Sequence, residues 1–197
     1  MGPMRAESSP REIPPPSKPA RRYSTRPFPA YRYVPGLHPH PVRDPAGHSY
    51  STTSLRLTRR SRPVHGSMNA DEWFYGVDLF NAFFFWEAHE AWESLWASAA
   101  DPSPQRFLFQ GLIQIAAALL KAHMNVAAGA RRLSYEGCTK LALAGEAQPQ
   151  LLGLDVLVTE ARFRAYFAVL DSGRLPQIGP DVPALLLTGD PLVFVDG

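Results

Sequence analysis

The residues best suited to chemistry lie in one short stretch, His89-Glu90-x-x-Glu93, inside a run rich in aromatic residues. Residues four apart lie on one face of a helix, so an imidazole at position 89 and a carboxylate at position 93 can reach the same metal ion. The spacing is that of a zinc-protease helix, with Glu93 in place of the second histidine. Glu90 could orient a water molecule as a general base. The stretch therefore permits a divalent metal such as zinc, and hydrolysis would be the natural chemistry of a catalytic site.

A hydrolytic zinc site requires three protein ligands, and the local sequence does not contain the third. The rest of the chain offers four candidates, among which the sequence does not choose: His123, Glu87, Glu136 and Asp78. A ferritin-like di-metal centre is disfavoured because it requires Glu-x-x-His on two helices, and no predicted helix contains that pattern. The metal hypothesis therefore depends on His89 and Glu93.

A noncatalytic hypothesis uses the same residues. If 84–97 is helical, four side chains fall within about 60° of one another around the axis and should be mostly buried: Trp86, His89, Glu93 and Trp96. Buried polar groups need partners, because an unsatisfied one costs about 1–3 kcal/mol. Burial of His89 and Glu93 therefore predicts a hydrogen-bond network around them. In this hypothesis the network fixes the register of the helices in a structural or protein-interaction module.

The next predicted helix supplies partners for either hypothesis. It is strongly apolar, but Gln110, Gln114 and Lys121 interrupt it at spacings of four and seven, which places them on one stripe. With Trp96 and Asn125, these residues are predicted to line a small-ligand cavity beside the histidine. In the network hypothesis, the same amides and amine satisfy His89 and Glu93 without a metal.

Apolar periodicity predicts an all-α domain, a compact up-and-down bundle of about five helices over residues 68–175. The helices are expected near 72–80, 84–97, 105–124, 127–143 and 154–170. Pro102 and Pro104 separate the second helix from the third, and Gly145 is expected to end the fourth. Residues 176–197 contain several prolines and should form an extended tail that packs on the bundle.

Residues 1–67 have no helical or alternating apolar pattern and are predicted to be a disordered tail. Residues 1–66 contain 13 of the 20 prolines, 12 of the 20 basic residues and three of the 18 acidic residues, a formal charge of +9, whereas the remainder carries −7. The tail could lie upstream of a translation start at Met68, could be a targeting peptide, or could be a basic arm for nucleic acid or anionic lipid. Its histidines have no predicted geometry and no assigned role: His38, His40, His48 and His65.

Composition limits the cellular setting and the partners. Cys138 is the only cysteine, which excludes an intramolecular disulfide and fits the cytoplasm. The longest apolar run is too short for a membrane span, and nucleic-acid binding by the acidic domain is disfavoured. An unidentified small ligand or protein, including a second copy of the chain, stays open as the partner.

The chain resembles domain-of-unknown-function family 309, a small all-helical prokaryotic family, over about residues 69–145. The residues that carry the likeness are Phe80-Asn81, Trp86-Glu87-Ala88-His89-Glu90, Trp92-Glu93, Trp96, Arg106-Phe107, Gln110-Gly111-Leu112-Ile113-Gln114, Ala116-Ala117-Ala118, Lys121, Asn125, Gly129-Ala130 and Leu133. The resemblance implies a helical bundle, metal binding at the motif His-x-x-x-Glu-x-x-Trp/Tyr (His89, Glu93, Trp96) and no established activity. Glycines usual in the family are replaced near Phe83 and at Met124, which should alter the turns that border the motif.

Overall fold

A computed structural model gives the positions of residues 11–18, 21–50 and 69–188. These residues contain five α-helices: α1 (Ala70–Asn81), α2 (Phe85–Ser98), α3 (Pro104–His123), α4 (Ala127–Ala147) and α5 (Val156–Phe167). Strands β1 (Gln150–Leu151) and β2 (Leu154–Asp155) form a short antiparallel hairpin before α5, and a 3₁₀ helix (Ala168–Ser172) follows it. Each α-helix contacts the next one along the chain. The predicted all-α bundle is confirmed.

Local sequence explains where the helices begin. The side chains of Asn69, Ser103 and Asp155 each accept a hydrogen bond from a backbone N–H in the first turn of α1, α3 and α5. Pro104 is the first residue of α3, a position where a missing N–H costs nothing. These caps place the breaks between helices close to the predicted positions.

Two of the differences between the predicted and observed helix bounds have a structural explanation. α4 continues past Gly145 to Ala147. A Cβ at Gly145 would lie 2.6 Å from Leu157 Cδ2. The glycine therefore permits close contact between α4 and α5 and does not end the helix. α5 begins at Val156, two residues later than predicted, because β2 contains the two preceding residues.

α2 contributes to the core through a stripe that differs from the predicted one. Phe85, Ala88, Trp92 and Leu95 are buried, whereas Trp86 and Trp96 are only partly buried. The prediction placed Trp86 and Trp96 on the buried face. Small side chains allow the neighbouring helices to approach closely, so the alanine side of α2 faces the core.

Phe83 lies in the turn between α1 and α2 with a φ of 66°, a region that glycine adopts without steric cost. The family-typical glycine is replaced near this residue, so the turn keeps a glycine-like backbone with a phenylalanine in it. The Phe83 ring is buried and stacks on Phe85 at 5.6 Å between centroids. Met124, which replaces the second family-typical glycine, has an ordinary φ of −76°. The next residue, Asn125, has the left-handed conformation, with a φ of 61°.

Residues 21–50, hereafter the N-terminal strap, contain no helix or strand but lie against α1 and α2. Val34 is buried in the same core cluster as the helices, and Tyr33 is also buried. Apolar periodicity in the sequence does not predict these contacts. Of the predicted tail, residues 1–10, 19–20 and 51–67 lie outside the described residues, as do Met68 and residues 189–197.

The C-terminal segment also packs on the bundle up to residue 188. Val182, Leu185 and Leu187 are buried. The side-chain amide of Asn81 donates to the carbonyl of Leu185 and accepts from its N–H, both at 2.8 Å. An isolated bridge joins Leu187 to Leu154.

Gly76 allows α1 and α2 to approach closely. A Cβ at this position would lie 2.2 Å from Nε1 of Trp92, a buried indole held between Trp73 and Phe80. We expect Gly76→Ala to lower the free energy of unfolding by about 2 kcal/mol, because overpacking outweighs the gain in helix propensity.

Urea denaturation monitored by circular dichroism measures this change, and Gly129→Ala is the matched control. A Cβ at Gly129 would lie 3.3 Å from Cγ of Lys121, a flexible side chain that can move. We expect Gly129→Ala to leave the free energy of unfolding unchanged or to raise it. Equal effects of the two substitutions would contradict the packing explanation.

Candidate metal centre

His89, Glu90 and Glu93 lie together on one side of α2. One ligand atom from each residue, an imidazole nitrogen or a carboxylate oxygen, lies within 4.8 Å of the other two. His89 Nε2 is 3.0 Å from Glu93 Oε1. This group is the single cluster of three or more potential metal-ligating side chains among the described residues. Helical spacing alone produces the arrangement, since positions one, three and four apart bring these side chains to adjoining parts of the surface.

The burial predicted for this face is wrong. The side chain of His89 is 27% exposed and that of Glu93 is 52% exposed. The physical reason is the rotation of α2 described above, which directs Ala88 and Trp92 inward and leaves His89 and Glu93 at the edge. The cluster is therefore open to solvent, and an exposed His–Glu pair contributes little to stability.

The environment of Glu90 differs from that of an ordinary surface glutamate. Partial removal of water, followed by the negative charge of Glu93, raises its pKa, and the positive charges of His89 and Arg43 oppose this shift. The carboxyl of Glu90 therefore holds its proton to a higher pH than a fully solvated one. A cation bound between the two carboxylates would reverse this effect.

The other predicted ligand-binding residues lie in separate surroundings. Gln114 Nε2 donates to Glu136 Oε2 on α4 at 3.0 Å. Trp96 carries the guanidinium of Arg106 over its ring. Asn125 lines a shallow depression of about 820 Å³ with Tyr166 and Arg174.

In the described part of the chain, no hydrogen bond joins the His89 cluster to the amides and amine predicted to line it, Gln110, Gln114 and Lys121. The structure thus does not show the predicted network between α2 and α3.

The four distant candidates for a third ligand have other partners. His123 Nε2 lies 2.7 Å from the carbonyl oxygen of Arg11, and Glu136 contacts Gln114 and Arg132. Glu87 and Asp78 bind the N-terminal strap. Glu90, which the sequence suggested as a base, is the residue that lies close enough to be the third ligand.

Residues 73–133 match the family described as Domain of unknown function (DUF309). This segment belongs to DUF309. The family that the sequence resembles is thereby confirmed for this part of the chain, which includes α2, α3 and the candidate metal centre. No curated protein and no solved structure showed significant similarity to the chain. Among the described residues, no helix is both long enough and apolar enough to cross a membrane.

Asp78, inside the DUF309 segment, holds the N-terminal strap. Its side chain is 0% exposed, and its carboxylate accepts hydrogen bonds from the N–H groups of Tyr23 and Ser24, both at 2.8 Å. Arg22 Nε completes the set at 3.0 Å. Asp78 is in the last turn of α1, where the helix dipole disfavours a negative charge, so the strap supplies its compensation.

Glu87 holds a second part of the strap. Its Oε1 accepts from the N–H of Tyr33 at 3.0 Å and lies 3.1 Å from His48 Nε2, while its Oε2 is buried without a hydrogen-bond partner. The Glu87 and His48 side chains are 5% and 7% exposed. Burial raises the pKa of Glu87 to about 7 despite opposing hydrogen bonds and positive charges, and burial lowers the pKa of His48.

Three of the four histidines left without a role in the sequence analysis have defined contacts. His38 Nε2 lies 2.9 Å from Glu12 Oε1, and His40 packs edge-on against Trp86. His48 contacts Glu87, as described above, and His65 lies outside the described residues. The strap is outside the DUF309 segment, and the signal that could have located its binding face is the opposite charge of the two parts of the chain.

Proposed function

We propose that the protein binds a divalent cation through His89, Glu90 and Glu93. The observation that supports this proposal is the convergence of three ligand atoms within 4.8 Å on one helix. One imidazole and two carboxylates form a donor set that suits zinc and leaves at least one coordination position open. The donor set therefore fits the metal-binding role that the family resemblance implies.

The exposed position of the centre bears on what it could do. A zinc ion held there would supply Lewis acidity, which is the chemistry of hydrolytic metal sites. In this proposal His89 and Glu93 bind the cation, and Glu90 either completes the donor set or accepts a proton beside it. The lone Cys138 is compatible with action in the cytoplasm.

The noncatalytic alternative receives less support. It requires the imidazole and carboxylate to be satisfied by residues of α3, whereas Gln114 bonds to α4 and the His89 and Glu93 side chains are partly exposed. An exposed pair of this kind contributes about 0.2–1 kcal/mol, too little to fix the register of a helix.

Zinc titration of protein purified without a histidine tag tests the proposal by calorimetry and metal analysis. We expect one zinc ion per chain, and a loss of affinity of about 100-fold in the double variant His89→Ala, Glu93→Ala. Glu90→Gln should reduce zinc affinity less than the double variant does if Glu90 accepts protons. It should reduce zinc affinity by a comparable factor if Glu90 is a ligand.

The chain offers a matched control for these variants. His38 and Glu12 form another His–Glu pair at 2.9 Å that belongs to no cluster of three metal-ligating residues among those described. Zinc affinity should be unchanged in His38→Ala, Glu12→Ala. Absence of binding by the unsubstituted protein, or equal loss in both double variants, would overturn the proposal, while far-UV circular dichroism verifies folding.

A further inference from the structure

The strap contacts α1 and α2 in the way that a bound peptide contacts its receptor. Asp78 accepts two consecutive backbone N–H groups, from Tyr23 and Ser24, and Tyr75 donates its hydroxyl to the carbonyl of Pro27. These contacts use the main chain of an extended segment, which supplies affinity in peptide recognition. The residues of α1 and α2 that make these contacts are not those of the candidate metal centre.

Arginine side chains of the strap supply specificity. Arg26 Nη1 lies 2.7 Å from Glu72 Oε2, and its guanidinium lies over the ring of Tyr75 at 3.7 Å. Arg32 Nε donates to the carbonyl of Ala82 at 2.8 Å and its guanidinium lies over Phe84. Planar cations stacked on aromatic rings and paired with acceptors are recognised by shape and by charge.

Within the described residues, the strap forms no backbone–backbone hydrogen bond with a helix. Its backbone–backbone hydrogen bonds join strap residues to one another, as between Leu37 and Val34 or Asp44 and His40. The helices also form their own contacts from α1 to α5. The strap can therefore leave the bundle without breaking the backbone hydrogen bonds of any helix.

The length of the connection does not restrict the strap to its own bundle. Residues 51–68 join the strap to α1, and a chain of this length can span at most about 60 Å. The charge of +9 on residues 1–66 and of −7 on the remainder also attracts the strap of one copy to the bundle of another.

We propose that this face of α1 and α2 is a binding groove for an extended arginine-containing segment. In this proposal, residues 21–50 of a second copy bind the groove of the first copy and replace the first copy's own strap. The groove is defined by Glu72, Tyr75, Asp78, Phe84 and Glu87. An exchanged pair of straps produces a symmetric dimer with the same contacts as the single chain.

Complementation between two full-length variants tests this inference. One copy carries Arg22→Ala and Arg26→Ala, which weakens its strap, and the other carries Asp78→Asn, which weakens its groove. Each alone should sediment at 21.8 kDa, and an equimolar mixture should shift to twice that mass. A mixture in which Asp78→Asn is present in both copies is the matched control and should stay monomeric. Folded variants that form no complex on mixing would overturn the inference.

A second measurement applies if either variant does not fold. A protease site placed between residues 50 and 69 of the unsubstituted chain is cut after folding, and a fluorescent synthetic peptide of residues 21–50 is added in excess. We expect the labelled peptide to replace the cut strap, and a peptide with Arg22→Ala and Arg26→Ala to fail. Retention of the original strap in folded protein, with no uptake of the label, would also overturn the inference. Zinc titration tests the metal proposal separately, so neither result decides whether zinc binds at His89.

Discussion

Asp78→Ala should lower the free energy of unfolding by about 3 kcal/mol, the largest effect that we expect from a single polar substitution in α1. The carboxylate is fully buried and accepts three hydrogen bonds from the strap, those of Arg22, Tyr23 and Ser24. Without it, two backbone N–H groups lose their acceptor and the strap loses its attachment to α1. Urea denaturation measures the loss, and hydrogen exchange of the Tyr23 and Ser24 amides should become faster.

Asp71→Ala is the control for Asp78→Ala. Asp71 is also an acid of α1 that lies near a strap arginine, 3.5 Å from Nη1 of Arg26, but its side chain is well exposed. We expect a change below about 0.5 kcal/mol, as for other exposed ion pairs. Similar losses in the two variants would show that the charge of α1, and not the buried attachment of the strap, determines the effect.

The helices could be predicted because their signals are local. Caps such as Asn69 and Ser103, and the prolines at 102 and 104, act within one turn of their own position. The orientation of α2 could not be predicted as reliably, because two faces of that helix carry apolar residues. One face contains Trp86 and Trp96 and the other contains Ala88 and Leu95, and only packing against α1 and α3 selects between them.

The candidate metal centre was predictable in its composition and not in its surroundings. The spacing of His89 and Glu93 determines their separation in any helix, and the structure has them 3.0 Å apart. Their exposure depends on the rotation of α2, which also separates them from Gln114. A local pattern can thus identify a set of ligands, whereas the burial of a site requires the tertiary structure.

The strap shows the opposite limitation. Its proline content predicts the absence of helix and strand in residues 21–50, as observed. Its attachment depends on carboxylates more than 50 residues away along the chain, Asp78 and Glu87, each of which accepts backbone N–H groups. Backbone donors have no side-chain signature, so periodicity does not reveal such contacts. The uneven distribution of charge was the one indication in the sequence.

Glu87 should make the stability of the protein depend on pH in an unusual direction. Its pKa is about 7 in the folded protein, against an ordinary value of 4.5, chiefly because the carboxyl is buried. Between these two values the folded state binds a proton that the unfolded state has released, so the free energy of unfolding falls as pH rises. The contribution of Glu87 is fully present below pH 4.5 and is lost by the time the pH has passed 7, a change of about 3 kcal/mol.

Glu87→Gln isolates this contribution because glutamine keeps the hydrogen-bonding oxygen for Tyr33 and does not titrate. His48 acts in the opposite direction: burial lowers its pKa, so its contribution to stability is lost as pH falls below the ordinary value of 6.5. His48 is present in both proteins, so the part of its effect that does not depend on its contact with Glu87 cancels when their urea denaturation curves are compared at each pH. The stability of the unsubstituted protein relative to Glu87→Gln should decline from pH 4.5 to pH 8, by about 3 kcal/mol. A difference that is constant across this range would show that Glu87 ionises in the folded protein as it does in water.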